Sequence, residues 1–415
     1  MNILVFQQFY TNSKEAGISR FSIFADEWAK QGIKTTIISG SINYMAGEKK
    51  RNSAFKLFWK EIEEDNITVI RVYASSVGYR TFIGRVFSYI TFIFSAFIAG
   101  MFVEKHDVVI ASSPPIFIGF VAYAVSFFRR SKFVFEVRDP WPDVAVALGY
   151  VKSKTIISFI NSIARLFYRK AKLIIVNSPG LKEYLIGKKG ISENKIGIVL
   201  NPVTTTPLNS KKIAEEMRTE MNWNNKFVVI YSGAMSAVYD FDTILNVAKK
   251  LSKYPKILFV FVGDGRQKSH IIERVKNEKI ANVLLLPSVS YQKVKWLIAS
   301  ADIGIAVLKD LSTLKHVYST KTFDYMSAGK PVVLAMKGVN ADLICRDANA
   351  GICLNPGDSH GIEMAILELS NNPNKLDKLG KNGYEFAAKN LSARKLSTDY
   401  INLLKPIVVP QRKSN

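Results

Sequence analysis

STKTFDYMSAGKPVV, Ser319 to Val333, reads as a short helix that stops at Gly329 and passes through Pro331 into an apolar strand. Glycine is favoured just past a helix end because no Cβ opposes left-handed backbone, and proline keeps the helix from resuming. A helix that leads directly into a strand is the repeating unit of a parallel sheet. The same stretch places Lys321 and Asp324 three residues apart, on one helical face with Cβ atoms about 5–6 Å apart. Two readings stay open. The pair satisfies itself as a surface ion pair, or it holds something anionic at one end and hydroxylated at the other.

The rhythm extends upstream. FVVIYSG from Phe227, a helix from about Asp240, ILFVFVGDG from Ile257, VLLLP from Val283, a helix near Tyr291 and DIGIAVL from Asp302 precede the opening stretch. Nearer the start come ILVF, a helix from about Ser19 to Gln31, TTIIS, DVVIA at Asp107, KFVFEV at Lys132 and LIIVN at Leu173. Short apolar runs alternating with helical stretches predict parallel strands with crossover helices. Between the two series lies NPVTTTPLNSKK, Asn201 to Lys212, polar and proline-bearing. The expected architecture is α/β, two doubly wound parallel-sheet units in series, covering residues 1–200 and 201–389. A ligand belongs at the carboxyl ends of such strands and, with two units facing each other, in the cleft between them.

Composition narrows the partners. The 415 residues are 48% apolar and 22% charged, as in a globular chain of two to three domains. Cys345 and Cys353 lack Cys-x-x-Cys spacing and the four histidines are scattered, which argues against a disulfide framework or zinc cage and suits a reducing compartment. MNILVFQQF reads at once as a strand, so no cleavable export signal is expected. The net charge is +23, and Lys152 to Lys195 holds ten basic residues against Glu183 and Glu193. Such a charge implies an anionic partner. No zinc finger, RNP-type aromatic motif or clear helix-turn-helix points to nucleic acid. The anionic leaflet of a membrane is the other candidate. Val86 to Val103 (VFSYITFIFSAFIAGMFV) carries no charge and follows Arg80 and Arg85; it suits a half-buried domain helix, a monotopic face or a short span.

Several loops at predicted strand ends suit an anion. In TNSKEAGISRF, Gly17 lets the backbone approach a ligand ahead of a helix N-terminus. YSGAM offers Ser232 and Gly233; VGDGR offers Gly263, Asp264, Gly265 and Arg266. Neither has Walker or Gly-x-Gly-x-x-Gly spacing, and Gly-Asp-Gly alone also suits an ordinary turn. In FEVRDPWPD a strand ends and Pro140 and Pro142 stiffen the turn that presents Asp139.

EAGISRF, FEVRDPWPD, VGDGRQK and STKTFDYMSAGKPVV, in this order and at these separations, resemble the retaining glycosyltransferases of family four, with the GT-B fold. The resemblance covers nearly the whole chain and is nearest to bacterial O-antigen and capsule enzymes, including N-acetylfucosaminyltransferase-like members. It implies that Lys321 meets the diphosphate of a sugar nucleotide and Asp324 the ribose hydroxyls. It implies a donor site formed by Gly17, Arg20, Ser232, Gly233, Gly263, Asp264, Gly265, Arg266, His316, Thr320, Lys321 and Asp324. Asp139, Lys321 and Asp324 take the catalytic roles, and the segment after Asn390 packs back on the first domain. Two departures stand out. The family's Glu-x7-Glu pair is here His316 and Asp324, and AVYDFD, Ala237 to Asp242, replaces the Arg and Lys that usually grip the diphosphate.

The implied reaction is retaining transfer of a hexose, a deoxy-amino hexose among the candidates, to a membrane-associated saccharide carried on a polyprenyl diphosphate. UDP is the first expectation for the nucleotide. No cofactor and no metal are expected, since no Asp-x-Asp motif is present to bridge one. The expected location is cytoplasmic and peripheral on the inner face of the membrane. Two alternatives remain: a GT-B sugar-nucleotide epimerase, and a noncatalytic anionic-membrane-binding protein.

Overall fold

The computed structural model describes residues 1–12, 15, 17–42, 57–79, 81–204 and 211–408. Arg80, residues 205–210 of the polar linker, residues 409–415, and Ser13, Lys14 and Ala16 of the first loop lie outside the described residues. The chain divides into two compact units. Unit 1 comprises Met1–Tyr10, Ser19–Pro202 and Ala393–Asn415; unit 2 comprises Thr11–Ile18 and Val203–Ser392.

Unit 1 holds β1 (Asn2–Phe6), β2 (Lys34–Gly40), β3 (Phe58–Glu64), β4 (Ile67–Val72), β5 (Val108–Ser113), β6 (Lys132–Val137), β7 (Leu173–Val176) and β8 (Ile196–Ile198). They form one sheet in the order β3-β4-β2-β1-β5-β6-β7-β8. Every pairing is parallel except β3 with β4, a hairpin turned at Asp65 and Asn66, with Asn66 at φ 72°. The central strands β1 and β5 are buried on both faces, which is why they read as unbroken apolar runs.

One face is closed by an aromatic cluster. Phe21, Phe24 and Trp28 recur at i, i+3 and i+7 along the Arg20–Ala29 helix, and all three meet Tyr400 of the Ala393–Val408 helix at centroid distances of 5.9, 5.3 and 5.3 Å. The Trp28 indole also donates to the Ser397 carbonyl at 3.2 Å. Beneath the cluster lies the buried Glu136 carboxylate. It accepts from Ser112 Oγ at 2.6 Å and Tyr400 Oη at 3.4 Å, and faces Arg20 Nε at 3.5 Å. A buried carboxylate is tolerable only with such a shell.

Unit 2 holds β9 (Phe227–Ser232), β10 (Ile257–Val262), β11 (Val283–Leu286), β12 (Ile303–Val307), β13 (Val332–Ala335) and β14 (Gly351–Leu354), all parallel, in the order β11-β10-β9-β12-β13-β14. The opening stretch is the Thr320–Ser327 helix followed by β13, with Gly329 left-handed at φ 68°. The cysteines correct the sequence reading. Cys345 and Cys353 are joined by a disulfide that ties the Asp342–Asp347 turn to β14, a pairing that Cys-x-x-Cys spacing does not anticipate.

The apolar run forms the Phe82–Phe102 helix, capped where Thr81 Oγ1 accepts from the Gly84 amide. By length and composition it is able to cross a membrane, yet a third of it is buried within unit 1. Ser95 Oγ donates to the Tyr73 carbonyl at 2.6 Å, and a Cβ at Gly100 would stand 2.8 Å from Val125 and 2.9 Å from Phe6. One face of it is therefore packed on unit 1.

Replacing Tyr400 by Ala removes the ring that three aromatic side chains share and one donor to Glu136. The expected loss in unit 1 stability is about 3–5 kcal/mol, read by urea unfolding. A loss under about 1 kcal/mol would show the C-terminal helix to be dispensable.

Candidate functional site

The site in unit 2 is built by a tyrosine that seats a helix on a sheet. Tyr325 packs against Gly304 so closely that a Cβ there would come within 2.1 Å of the ring. Its hydroxyl accepts from the Ser232 amide at 3.0 Å, where β9 ends. Lys321 lies four residues earlier on the same helical face. It is thereby delivered to Gly233, whose hypothetical Cβ would lie 3.7 Å from Lys321 Cε.

Lys321 and Asp324 do not pair with each other. The buried Lys321 ammonium stands 3.6 Å from the Tyr239 ring centroid and 4.8 Å from that of Tyr231. Among the described residues no carboxylate lies within ion-pair distance of it. Ring faces attract a cation without neutralising it, so the charge stays available to an anion. Tyr239 is held in turn by a hydrogen bond between its hydroxyl and Ser319 Oγ at 3.2 Å.

Asp324 looks elsewhere. Its Oδ1 accepts from Tyr291 Oη at 2.9 Å. Burial raises its pKa to about 6, against the pull of that hydroxyl and of Lys295 and Lys321. Lys295, lowered by its own burial, donates to Thr204 Oγ1 at 3.0 Å. Sequence reading missed Lys295 and Tyr291, which lie on the Tyr291–Ser300 helix rather than in the quoted motif. Tyr291 is also reached from the first loop, its amide donating to the Glu15 carbonyl at 3.2 Å.

The glycine loops are stacked by necessity. Gly233, Gly263 and Gly265 have φ of 112°, 143° and 152°. A Cβ at Gly263 would fall 2.1 Å from the Gly233 carbonyl oxygen, and one at Gly265 2.5 Å from that of Met235. The Met235 amide donates to the Asp264 carbonyl at 2.8 Å. Gly-Asp-Gly is therefore a loop-packing device rather than an ordinary turn. Asp264 Oδ1 accepts from the Gly265 amide, and Lys268 stands 3.7 Å from Oδ2. Arg266 is exposed beside them. His316 ends the Ser312–His316 turn, partly buried, and Thr320 is exposed at the first position of the helix. Gly17 is exposed at φ 79° in the loop that belongs to unit 2.

Two expected residues lie in unit 1. Arg20 is consumed there: besides Glu136, it donates to the Val199 carbonyl at 2.9 Å and to Asn201 Oδ1 at 3.2 Å, and it covers the Phe24 ring. These contacts correct its expected phosphate role to a structural one. Asp139 follows β6 with no side-chain hydrogen bond or ion pair among the described residues, and burial raises its pKa against the charge of Arg138.

The sequence profile of Glycosyltransferase Family 4 matches residues 23–206, and that of Glycosyl transferases group 1 matches residues 213–386. Matched in succession over most of its length, the chain belongs to the GT-B glycosyltransferases. Among solved structures it is similar to Anabaena HepE in complex with UDP and glucose, at 17% identity, TM-score 0.71 and coverage of 98% of this chain and 99% of that one. It is similar to sucrose-phosphate synthase from Thermosynechococcus elongatus at 13% identity, TM-score 0.75 and 98% coverage of both chains. It is also similar to WaaG, a glycosyltransferase involved in lipopolysaccharide biosynthesis, at 14% identity, TM-score 0.67 and coverage of 98% and 100%. No curated protein matches it by sequence.

Folding raises the Asp324 pKa from 3.8 to about 6. Its contribution to stability is therefore greatest below pH 3.8 and is lost as pH rises through 6. The carboxylate form accepts hydrogen bonds from a diol, so UDP affinity is expected to fall as pH drops through about 6. In Asp324→Asn that step should vanish and the free protein should become more stable at pH 8. An unchanged pH profile in calorimetric titration would remove Asp324 from the nucleotide site.

Proposed function

We propose that the protein is a retaining glycosyltransferase that moves a hexose from a UDP-sugar to a membrane-associated saccharide carried on a polyprenyl diphosphate, in surface-polysaccharide synthesis. The observation that carries this reading is the Lys321 ammonium, buried against two tyrosine faces beside Gly233 and without a carboxylate partner among the described residues. A buried cation that lacks an ion pair is costly unless an anion arrives, and a diphosphate supplies one. The binding of UDP by HepE supports the choice of nucleotide. The part WaaG plays in lipopolysaccharide synthesis supports the choice of pathway class.

On this reading the bond between the anomeric carbon and the diphosphate oxygen breaks while the acceptor oxygen bonds to the same face. The acceptor proton passes to the departing phosphate oxygen. Lys321, with the Gly233 backbone, stabilises the charge that develops on the diphosphate. Asp324 holds the ribose hydroxyls, its second oxygen remaining beside the one that accepts from Tyr291. Asp139, whose carboxyl is raised by burial, is assigned to the acceptor hydroxyl. On the same reading the transfer uses no metal, and the protein works at the cytoplasmic face of the membrane, where sugar nucleotides and lipid-linked intermediates meet.

Lys321→Ala is expected to weaken UDP binding roughly 10- to 150-fold in calorimetry, the equivalent of one lost charged hydrogen bond, while the protein stays folded. With a competent donor and a lipid-linked acceptor, NMR of the product should show the anomeric configuration of the donor. An inverted product would overturn retention. Donor turnover without acceptor into an epimeric sugar would favour the epimerase instead.

A further inference from the structure

The Phe82–Phe102 helix is built inside out. Toward unit 1 it turns Gly84, Ser88, Ser95, Ala96, Ala99 and Gly100, with Phe92 the one large residue fully buried among the described side chains. Toward the outside it turns Ile83, Phe87, Ile90 and Phe94, spaced i, i+4, i+7 and i+11, with relative exposures of 79%, 50%, 59% and 64%. A helix of a soluble domain normally shows the opposite arrangement, large apolar side chains inward and polar ones outward. Small inward residues let the backbone lie close to the sheet, but nothing in that packing calls for isoleucine and phenylalanine on the far side.

The patch continues beyond this helix. Phe102 is 79% exposed, and Phe127 and Phe128 at the end of the Ile118–Phe128 helix are also exposed. Phe128 meets Phe97 edge-on at 6.2 Å and Phe127 at 5.6 Å, which joins the two helices into one apolar surface. In unit 2, by contrast, the exposed large hydrophobics among the described residues are Ile213, Tyr254, Ile272 and Met364, scattered singly.

Positive charge borders this surface. Lys105 and Arg130 are exposed at the ends of the two helices, with the exposed acids Glu104 and Asp107 beside Lys105. Lys34 and Lys60 line, with Phe102, a cavity of about 380 Å³. The Lys154–Lys170 helix adds exposed Lys154, Arg165, Arg169 and Lys170 together with exposed Ile156 and Phe159, and Lys170 reaches over the Tyr123 ring of the neighbouring helix. From Ile83 to Phe102 the stripe runs about 28 Å along the helix axis. A long apolar stripe fringed by lysine and arginine matches an interface with acyl chains below and anionic headgroups above.

We infer that this face of unit 1 is a monotopic docking surface for an anionic phospholipid bilayer, with Ile83, Phe87, Ile90 and Phe94 entering the acyl boundary while the helix stays packed on its sheet. The inference rests on the membrane-associated acceptor proposed above only for its purpose, since the docking itself is measurable without an acceptor.

Full-length protein would be sedimented with vesicles of phosphatidylcholine plus phosphatidylglycerol, and with phosphatidylcholine alone, at low and high salt. Wild type should partition onto the anionic vesicles and bind less at high salt. The triple variant Phe87→Ser, Ile90→Ser, Phe94→Ser should partition roughly 100-fold less. Lys154→Glu, Arg165→Glu, Arg169→Glu should lose the preference for anionic lipid. UDP titration of both variants should match wild type, showing that they are folded. Wild type left in the supernatant at low salt would overturn the inference, as would equal sedimentation of the serine variant. So would a lipid-free dimer that the serine variant dissolves, since a second copy would then be what covers the face. Failure of UDP to bind wild type would sink the donor assignment and leave the vesicle result to stand by itself.

Discussion

The parallel register that aligns Ser232 with Val262 governs the candidate site. It sets the turns leaving β9 and β10 side by side, so close that a Cβ at Gly263 would fall 2.1 Å from the Gly233 carbonyl oxygen. Two backbones then share a space that elsewhere holds backbone and side chain, and only glycine fits. The same end of β9 offers the Ser232 amide to Tyr325, which locks the Thr320–Ser327 helix in place. Lys321 rides on that helix. Its position over Tyr231 and Tyr239 thus follows from strand pairing, through one tyrosine, to one ammonium group.

How much of this was legible in the sequence depends on the range of each interaction. The helix, Gly329 and β13 are local, and local signals named them. The alternation of apolar runs and helices gave the parallel core of both sheets because a parallel strand must be returned by a crossover; the β3–β4 hairpin, closed by a two-residue turn, was not among the runs it named. The relation of Lys321 to Asp324 was not legible. Three-residue spacing makes an ion pair feasible on an isolated helix, but Tyr325, one residue further on, fixes the helix so that its lysine faces aromatic rings and its aspartate faces Tyr291. Those partners lie 82 and 33 residues away in sequence. Arg20 misled for the same reason: an arginine at a helix start resembles an anion site until Glu136, 116 residues on, is known to face it.

Burial separates the two charges of the motif as well. An aspartate that folding pushes up to about 6 is held at an energetic disadvantage as an anion, although Tyr291, Lys295 and Lys321 each pull the other way. A surface ion pair would relieve that cost by swinging the lysine over; the tyrosine rings prevent it. Preorganisation of this kind keeps both groups ready for a ligand that bears the complementary pattern, at the expense of the empty state.

The Phe82–Phe102 helix shows the complementary case, in which folding leaves side chains undetermined. Its inward face is fixed by contact: Gly84 and Gly100 because neighbouring atoms leave no room for a Cβ, Ser95 because its hydroxyl meets the Tyr73 carbonyl. Its outward face meets none of those demands, and polar residues there would cost the fold nothing while improving solubility. That the outward positions are nonetheless isoleucine and phenylalanine therefore cannot be a consequence of packing inside unit 1. A surface whose composition the fold does not require is explained by what it touches outside the fold. With lysine and arginine along its border, an anionic bilayer satisfies both halves of the pattern.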